Sequence, residues 1–326
     1  MKKFLRIAGY IAGGIVLLLV VGLIYFNIKF PDVDKPSDVK VEVTPERIKR
    51  GEYLANHVTG CMDCHAVRDW SKFSGPPIPG TQGKGGDKFG REIGFPGNIY
   101  AKNITPAAIG NWTDGELIRA ITQGVSKNGN ALFPLMPYLG FNHMSKEDLY
   151  SIVAYIRSLQ PVENKVPDSE LDFPLNFIVK TIPPKSYSPA PEPDRKNSSV
   201  YGRYLVTIAD CAGCHTPSEK GEPKPGMGYA GGQEFELPWG TIRSANLTPD
   251  EETGIGKWSR EDFIARFKSF DPDSSQYISV DSKSFNTIMP WTLMAGMTEQ
   301  DLGAIYDYLR TVKPVRNSVI HFTAAE

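Results

Sequence analysis

The chain is 326 residues long, and its 36 Lys and Arg nearly balance 37 Asp and Glu for a formal net charge of −1. Nothing in that balance points to a nucleic-acid partner or to a single-sign docking face. Glycine (31) and proline (26) together exceed their ordinary share of about 12%, which predicts short helices joined by long loops.

Lys2, Lys3 and Arg6 precede an apolar run, Ile7 to Ile28, in which Asn27 is the only strongly polar residue. Its 22 residues, at about 1.5 Å rise each, reach roughly 33 Å, enough to cross a hydrocarbon core of about 30 Å. The run ends in IYFNIKFP and offers no small-x-small cleavage site, so residues 1–30 read as a retained signal anchor rather than a cleaved signal peptide. Basic residues ahead of the span hold the N-terminus in the cytoplasm. The expected location is therefore a bacterial inner membrane, with everything after the single-pass anchor in the periplasm. A linker with alternating charge and two prolines follows over residues 31–44.

Residues 45–162 and 198–318 read as two copies of one domain, because the same blocks recur in the same order. Gly51-Glu52-Tyr53-Leu54 corresponds to Gly202-Arg203-Tyr204-Leu205. Asn103-Ile-Thr-Pro106 corresponds to Asn246-Leu-Thr-Pro249, and Trp112 to Trp258. Helices are predicted to begin at Thr113 with Glu116 and at Ser259 with Asp262, both in capping-box form. Met136-Pro137 and Met289-Pro290 then precede final helices over Lys146–Leu159 and Glu299–Val312, with N-caps at Ser145 and Thr298. Between the copies, residues 163–197 form a proline-rich linker. Its stretch from Leu171 to Val179 is too apolar to be fully solvated and is expected to pack between the two domains. Residues 319–326 read as a polar tail.

Cys61-Met62-Asp63-Cys64-His65 and Cys211-Ala212-Gly213-Cys214-His215 use every cysteine in the chain. Cys-x-x-Cys-His is the c-type haem attachment pattern. Its two thiols lie about one helical turn apart and can meet two vinyl groups on one haem edge, and the adjacent imidazole addresses the iron. A thioredoxin-like pair or half a zinc site is the rival for one isolated copy. Two copies 150 residues apart, each followed by His and with no cysteine spare, point instead to two covalently bound haem c groups.

Each iron needs a sixth ligand. Met136 and Met289 lie 71 and 74 residues beyond their histidines, match in the repeat, and precede proline, which holds them extended in a loop. Met62, Met144, Met294 and Met297 read as internal or core residues, and Met227 lies in a Gly/Pro-rich loop. His143 is a possible replacement for Met136. His57 is expected near a haem edge or in solvent. The expected metal ligands are thus His65, Met136, His215 and Met289, in two separate pockets.

The stretches Ala230 to Phe235 (AGGQEF), Ala245 to Phe263 (ANLTPDEETGIGKWSREDF), Leu135 to Tyr138 (LMPY), Met144 to Leu149 (MSKEDL), Ala154 to Val162 (AYIRSLQPV) and Leu171 to Asn176 (LDFPLN) resemble the multihaem cytochrome c subunits of membrane-bound alcohol, gluconate and aldehyde dehydrogenases. The similarity covers nearly everything after residue 45. It implies an all-α fold of two tandem class I-like cytochrome c domains after the transmembrane helix, with the first and last helices of each domain crossing beside the haem. It also implies that loops around Tyr100 to Asn103 and Trp239 to Asn246 line the haem. Those subunits carry three haems, whereas this chain has motifs for two.

The function expected on these grounds is a membrane-anchored carrier rather than an enzyme. It would pass single electrons from a periplasmic dehydrogenase or other respiratory donor to an acceptor cytochrome, oxidase or quinone-linked complex. A dihaem peroxidase is the alternative, and it needs one iron with an open or displaceable position, which the matched Met-Pro pairs argue against. A haem-based sensor would need an output domain that neither repeat supplies.

Overall fold

The computed structural model describes residues 1–219, 221–271, 278–281 and 284–325. A few positions assigned above to the second copy (220, 272–277, 282 and 283) and residue 326 of the tail lie outside these.

Helix α1 (Lys2–Lys29) is long and apolar enough to cross a membrane and has no buried residue. The first repeat contributes α2 (Pro45–Tyr53), α3 (Cys61–Cys64), α4 (Asp114–Gln123) and α5 (Lys146–Ser158). A short α6 (Leu175–Ile178) follows, and the second repeat contributes α7 (Ser198–Ile208), α8 (Cys211–His215), α9 (Arg260–Lys268) and α10 (Glu299–Leu309). Helix starts follow the capping chemistry in the sequence. Thr113 with Glu116 and Ser259 with Asp262 form complete reciprocal boxes, while Ser145 and Thr298 accept from the backbone N–H of Asp148 and Asp301. The last helices stop at Ser158 and Leu309, short of the expected Leu159 and Val312. At the first of these ends Leu159 is already extended ahead of Gln160-Pro161.

The fold is helix-rich but not all-α. Among the described residues, eight short strands pair antiparallel in three small sheets. These are β1 (Lys88–Phe89), β2 (Gly97–Tyr100) and β3 (Glu170–Leu171); β4 (Ser218–Glu219) and β5 (Glu222–Pro223); and β6 (Glu234–Leu237), β7 (Gly240–Arg243) and β8 (Phe322–Ala324). Long loops would otherwise leave backbone groups unpaired, and the supposed polar tail supplies β8 for the same reason.

Two glycines fix the helix crossings. In α2, an added Cβ at Gly51 would overlap the Ser151 carbonyl oxygen of α5, and one at Gly202 in α7 would overlap that of Ala304 in α10. First and last helices therefore touch backbone to backbone, as the resemblance implied. Two residues beyond each glycine, the tyrosine leaves its own repeat. Tyr53 Oη donates to Asp301 Oδ2 (2.6 Å) and accepts from Thr298 N–H (3.1 Å). Reciprocally, Tyr204 Oη donates to Asp148 Oδ2 (2.7 Å) and accepts from Ser145 N–H (3.2 Å). Each repeat thus completes the N-cap of the other's last helix.

The apolar core continues across this junction. One cluster contains Leu54, Val58, Leu149, Ile152 and Val153 of the first repeat together with Leu205, Ile208, Leu302, Ile305 and Leu309 of the second. The segment after α1 is also packed: Val41 is buried with its N–H on Asp114 Oδ2 (2.8 Å), and Asp34 N–H donates to Lys185 O (2.8 Å). The apolar stretch after Leu171 does not fill a groove between the repeats. Its strand β3 pairs with β2, and Phe177 of α6 meets Phe26 of α1.

Candidate haem-binding sites

Each Cys-x-x-Cys-His run is entered through one left-handed residue, Gly60 (φ 64°) and Asp210 (φ 51°), which turns the chain out of the preceding helix. The turn is closed by Asp63 N–H on Gly60 O and by Gly213 N–H on Asp210 O, both at 3.0 Å. Cys61, Cys64, Cys211 and Cys214 form no disulfide, although each pair lies within one short helix.

The two histidines are held alike. His65 Nδ1 lies 2.6 Å from Lys102 O, and His215 Nδ1 lies 2.8 Å from Ala245 O. A carbonyl only accepts, so Nδ1 carries the proton and Nε2 keeps a free lone pair. Burial, opposed by that hydrogen bond, lowers the pKa of both imidazoles and keeps them neutral. The carbonyl-bearing loops are fixed by the next residue. Asn103 Oδ1 accepts from Thr105 N–H (2.9 Å) and Oγ1 (2.8 Å), and its Nδ2 donates to Val162 O (2.8 Å). Asn246 repeats this on Thr248 and Val315 at the same distances.

Met136 and Met289 are half-buried loop residues against the core, and both sit in the same tight turn. Tyr138 N–H donates to Met136 O (2.7 Å), and Trp291 N–H to Met289 O (2.8 Å). Met144 and Met297 are fully buried core residues, as expected. His143 is exposed. His57 is not free in solvent: its Nδ1 is 2.8 Å from Leu293 O of the other repeat.

These residues fit a covalently held haem. Two unlinked thiols share a helical turn, and a neutral, oriented imidazole follows with Nε2 available. A bare-metal site is not supported, since among the described residues no three His, Cys, Asp or Glu side chains converge.

One part of the arrangement has no signal in the repeat. The loop after His65 is built around Arg68, whose guanidinium donates to Gly75 O, Ser74 O and Asp63 Oδ2 and lies 4.1 Å from the Trp70 ring centroid. Burial, opposed by Arg68, pushes the Asp63 carboxyl up to about 6. The loop tip enters the second repeat. Ser74, 1% exposed and left-handed (φ 67°), donates from Oγ to Met289 O (2.6 Å) and accepts from Trp291 N–H (2.9 Å). Its own N–H donates to Asn286 Oδ1 (2.8 Å). Trp70 and Trp239 rings meet at 5.6 Å, so the Trp239 loop serves this junction. The first repeat thus grips the Met289 turn of the second. The hydroxyl of a lone serine carries no pattern by which sequence reasoning could find it.

Comparison with known proteins places the second half first: residues 199–313 match the cytochrome c family. The cytochrome c subunit of the quinone alcohol dehydrogenase of Gluconacetobacter polyoxogenes is 29% identical over 85% of this chain and 58% of its own length. The gluconate 2-dehydrogenase cytochrome c subunit of Pantoea cypripedii is 30% identical over 66% of this chain and 49% of its own. A diheme cytochrome c-type protein of Cereibacter sphaeroides is 26% identical over 94% of this chain and 98% of its own length. The chain therefore spans about half the length of the dehydrogenase subunits it resembles. Residues 199–313 are thus similar to the cytochrome c family, and the chain as a whole is similar to the cytochrome c subunits of alcohol and gluconate dehydrogenases and to a fructose dehydrogenase cytochrome subunit.

Proposed function

We propose that this chain is a membrane-anchored dihaem cytochrome c that relays single electrons in the bacterial periplasm. The donor is a dehydrogenase or comparable respiratory protein, and the acceptor is a cytochrome, an oxidase or a quinone-linked complex. The observation that carries the proposal is the duplicated histidine arrangement, in which each motif's Nδ1 is engaged by a loop carbonyl and Nε2 is left free. Cys61 and Cys64, and Cys211 and Cys214, supply the thioether links. His65 with Met136 in domain 45–162, and His215 with Met289 in domain 198–318, would hold the iron of each haem. Haem iron contributes reversible one-electron chemistry, and a thioether ligand favours its reduced form.

The chain's own residues set the conditions. Lys102 and Ala245 orient the imidazoles, Asn103 and Asn246 lock the loops that bear those carbonyls, and the shared apolar core excludes water. Were His and Met to hold each iron in this way, no coordination position would remain for a substrate, and the bound group would supply electron transfer alone. Residues 1–30 serve as the anchor, with the cytoplasmic N-terminus set by Lys2, Lys3 and Arg6.

Haem counting tests the assignment. Replacing Cys61 and Cys64 together by Ala, or Cys211 and Cys214, should halve the covalent haem seen by the pyridine haemochrome assay. Two haems retained in either double variant would refute it. Near-infrared Met–iron charge-transfer absorption in the oxidised protein should account for both haems, and a high-spin signal from one would show that its Met is not a ligand.

A further inference from the structure

The C-terminal end of α1 is engaged by the segment that follows the first repeat. The Phe26 ring centroid lies 6.0 Å from that of Phe177 and 5.0 Å from that of Phe30. One residue on, Asn27 Oδ1 accepts from Lys180 Nζ (2.7 Å), and the same ammonium sits 5.9 Å from the Phe177 ring centroid. The other end of the segment is tied to the first repeat by the β2–β3 pairing and by the ion pair of Arg91 with Asp172. Residues 170–180 therefore bridge the end of α1 and the folded body. Their outer surface is nonetheless apolar and open: Phe173 is 81% exposed and Ile178 45% exposed. The Phe173 ring centroid is 6.2 Å from that of Phe177, which makes the exposed pair continuous with the Phe26 contact.

Depth follows from the length of α1. Twenty residues from Ile7 to Phe26 rise about 30 Å, the thickness of a bilayer's hydrocarbon. Phe26 then falls at the hydrocarbon boundary, and Phe177 beside it falls at the same level. Aromatic rings with lysines just outside them are the composition of that zone, where an ammonium reaches the headgroups while its stem stays in apolar surroundings.

We propose that Phe173, Phe177 and Ile178 form a second membrane contact, seated in the headgroup–acyl boundary of the phospholipid bilayer beside α1. This rests on the reading of α1 as a span. Lipid is the occupant because the exposed pair continues the surface of α1, none of whose residues is buried by protein. Two attachments instead of one stop the body from swinging about α1 and fix which face of the repeats looks at the membrane.

Photocrosslinking of the full-length, haem-loaded protein in its native membrane tests this. p-Benzoylphenylalanine is placed at Phe173, at Leu18 within α1, or at Trp258 on the second repeat, with haem content confirming that each variant is folded. Phospholipid adducts are expected at position 173 with a yield within about twofold of that at position 18, and only background at position 258. Adduct at 18 but not at 173, adduct at 173 no greater than at 258, or a protein adduct in place of lipid at 173 overturns the second contact. Absence of lipid adduct at 18 overturns the span itself, and the proposal with it.

Discussion

Loss of the Tyr53 hydroxyl should cost more than loss of the Tyr204 hydroxyl, although the two occupy equivalent places in the duplication. Asp301 is 5% exposed and its strong side-chain partner is Tyr53 Oη at 2.6 Å, with Tyr201 Oη distant at 3.4 Å. Asp148, 4% exposed, also receives the Tyr204 hydroxyl, but it keeps a bidentate grip from Arg50 at 2.8 and 3.0 Å. A hydrogen bond to a charged group is worth roughly 1.5–3 kcal/mol, and a buried carboxylate stripped of its main partner sits at the upper end. Tyr53→Phe should therefore cost about 2–3 kcal/mol, or about 30- to 150-fold in the unfolding equilibrium. Tyr204→Phe should cost about 1 kcal/mol, because the guanidinium still satisfies Asp148. Guanidinium chloride unfolding of the haem-loaded protein in detergent, followed by far-ultraviolet circular dichroism and tryptophan emission, measures both shifts in midpoint at unchanged slope. Since the core is shared, each substitution should move one common transition. A larger cost at Tyr204, or separate transitions for the two repeats, would show that the cross-repeat tyrosines do not act in this way.

The Ser74 grip gives a second expectation. Ser74→Gly preserves the left-handed backbone and deletes only the hydroxyl, so loss of two hydrogen bonds worth about 1 kcal/mol each should loosen the Met289 turn. Titration should show a lower potential and a weaker Met–iron absorption for the second haem, with the first unchanged; an equal response at both haems contradicts the placement of Ser74. At the helix crossings, Gly51→Ala and Gly202→Ala push a methyl into a main-chain carbonyl that cannot rotate away. Each should cost about 1–3 kcal/mol or more, read as a lowered denaturation midpoint and a reduced yield of haem-loaded protein, and an unchanged midpoint would mean that the helices do not cross this closely.

What could be read from the sequence was what is local or repeated. Cys-x-x-Cys-His is five contiguous residues whose chemistry needs nothing distant, and the capping residues at Thr113, Ser145, Ser259 and Thr298 act within one turn. Met136 and Met289 stood out only because the duplication aligned them. The Gly-x-Tyr-Leu block was visible as a repeat, but its two functions separate in space: the glycine serves its own helix pair and the tyrosine the other repeat. Leu171 to Val179 reads as needing apolar cover, yet composition does not say which apolar surface would provide it, and Phe173 and Ile178 stay exposed in the folded chain. Ser74 meets Met289 across 215 residues of chain, and β8 pairs with a strand some 80 residues earlier, distances over which no periodicity operates.

The reciprocal capping by Tyr53 and Tyr204 has a consequence for how such a chain can evolve. A fragment carrying either half alone would leave the N-cap of its last helix without the tyrosine that the other half supplies. Substitutions at the junction are therefore expected to be tolerated best in matched pairs. The exchanged tyrosines thus tie the two repeats into one unit, in which a break of the chain between them would cost both caps at once.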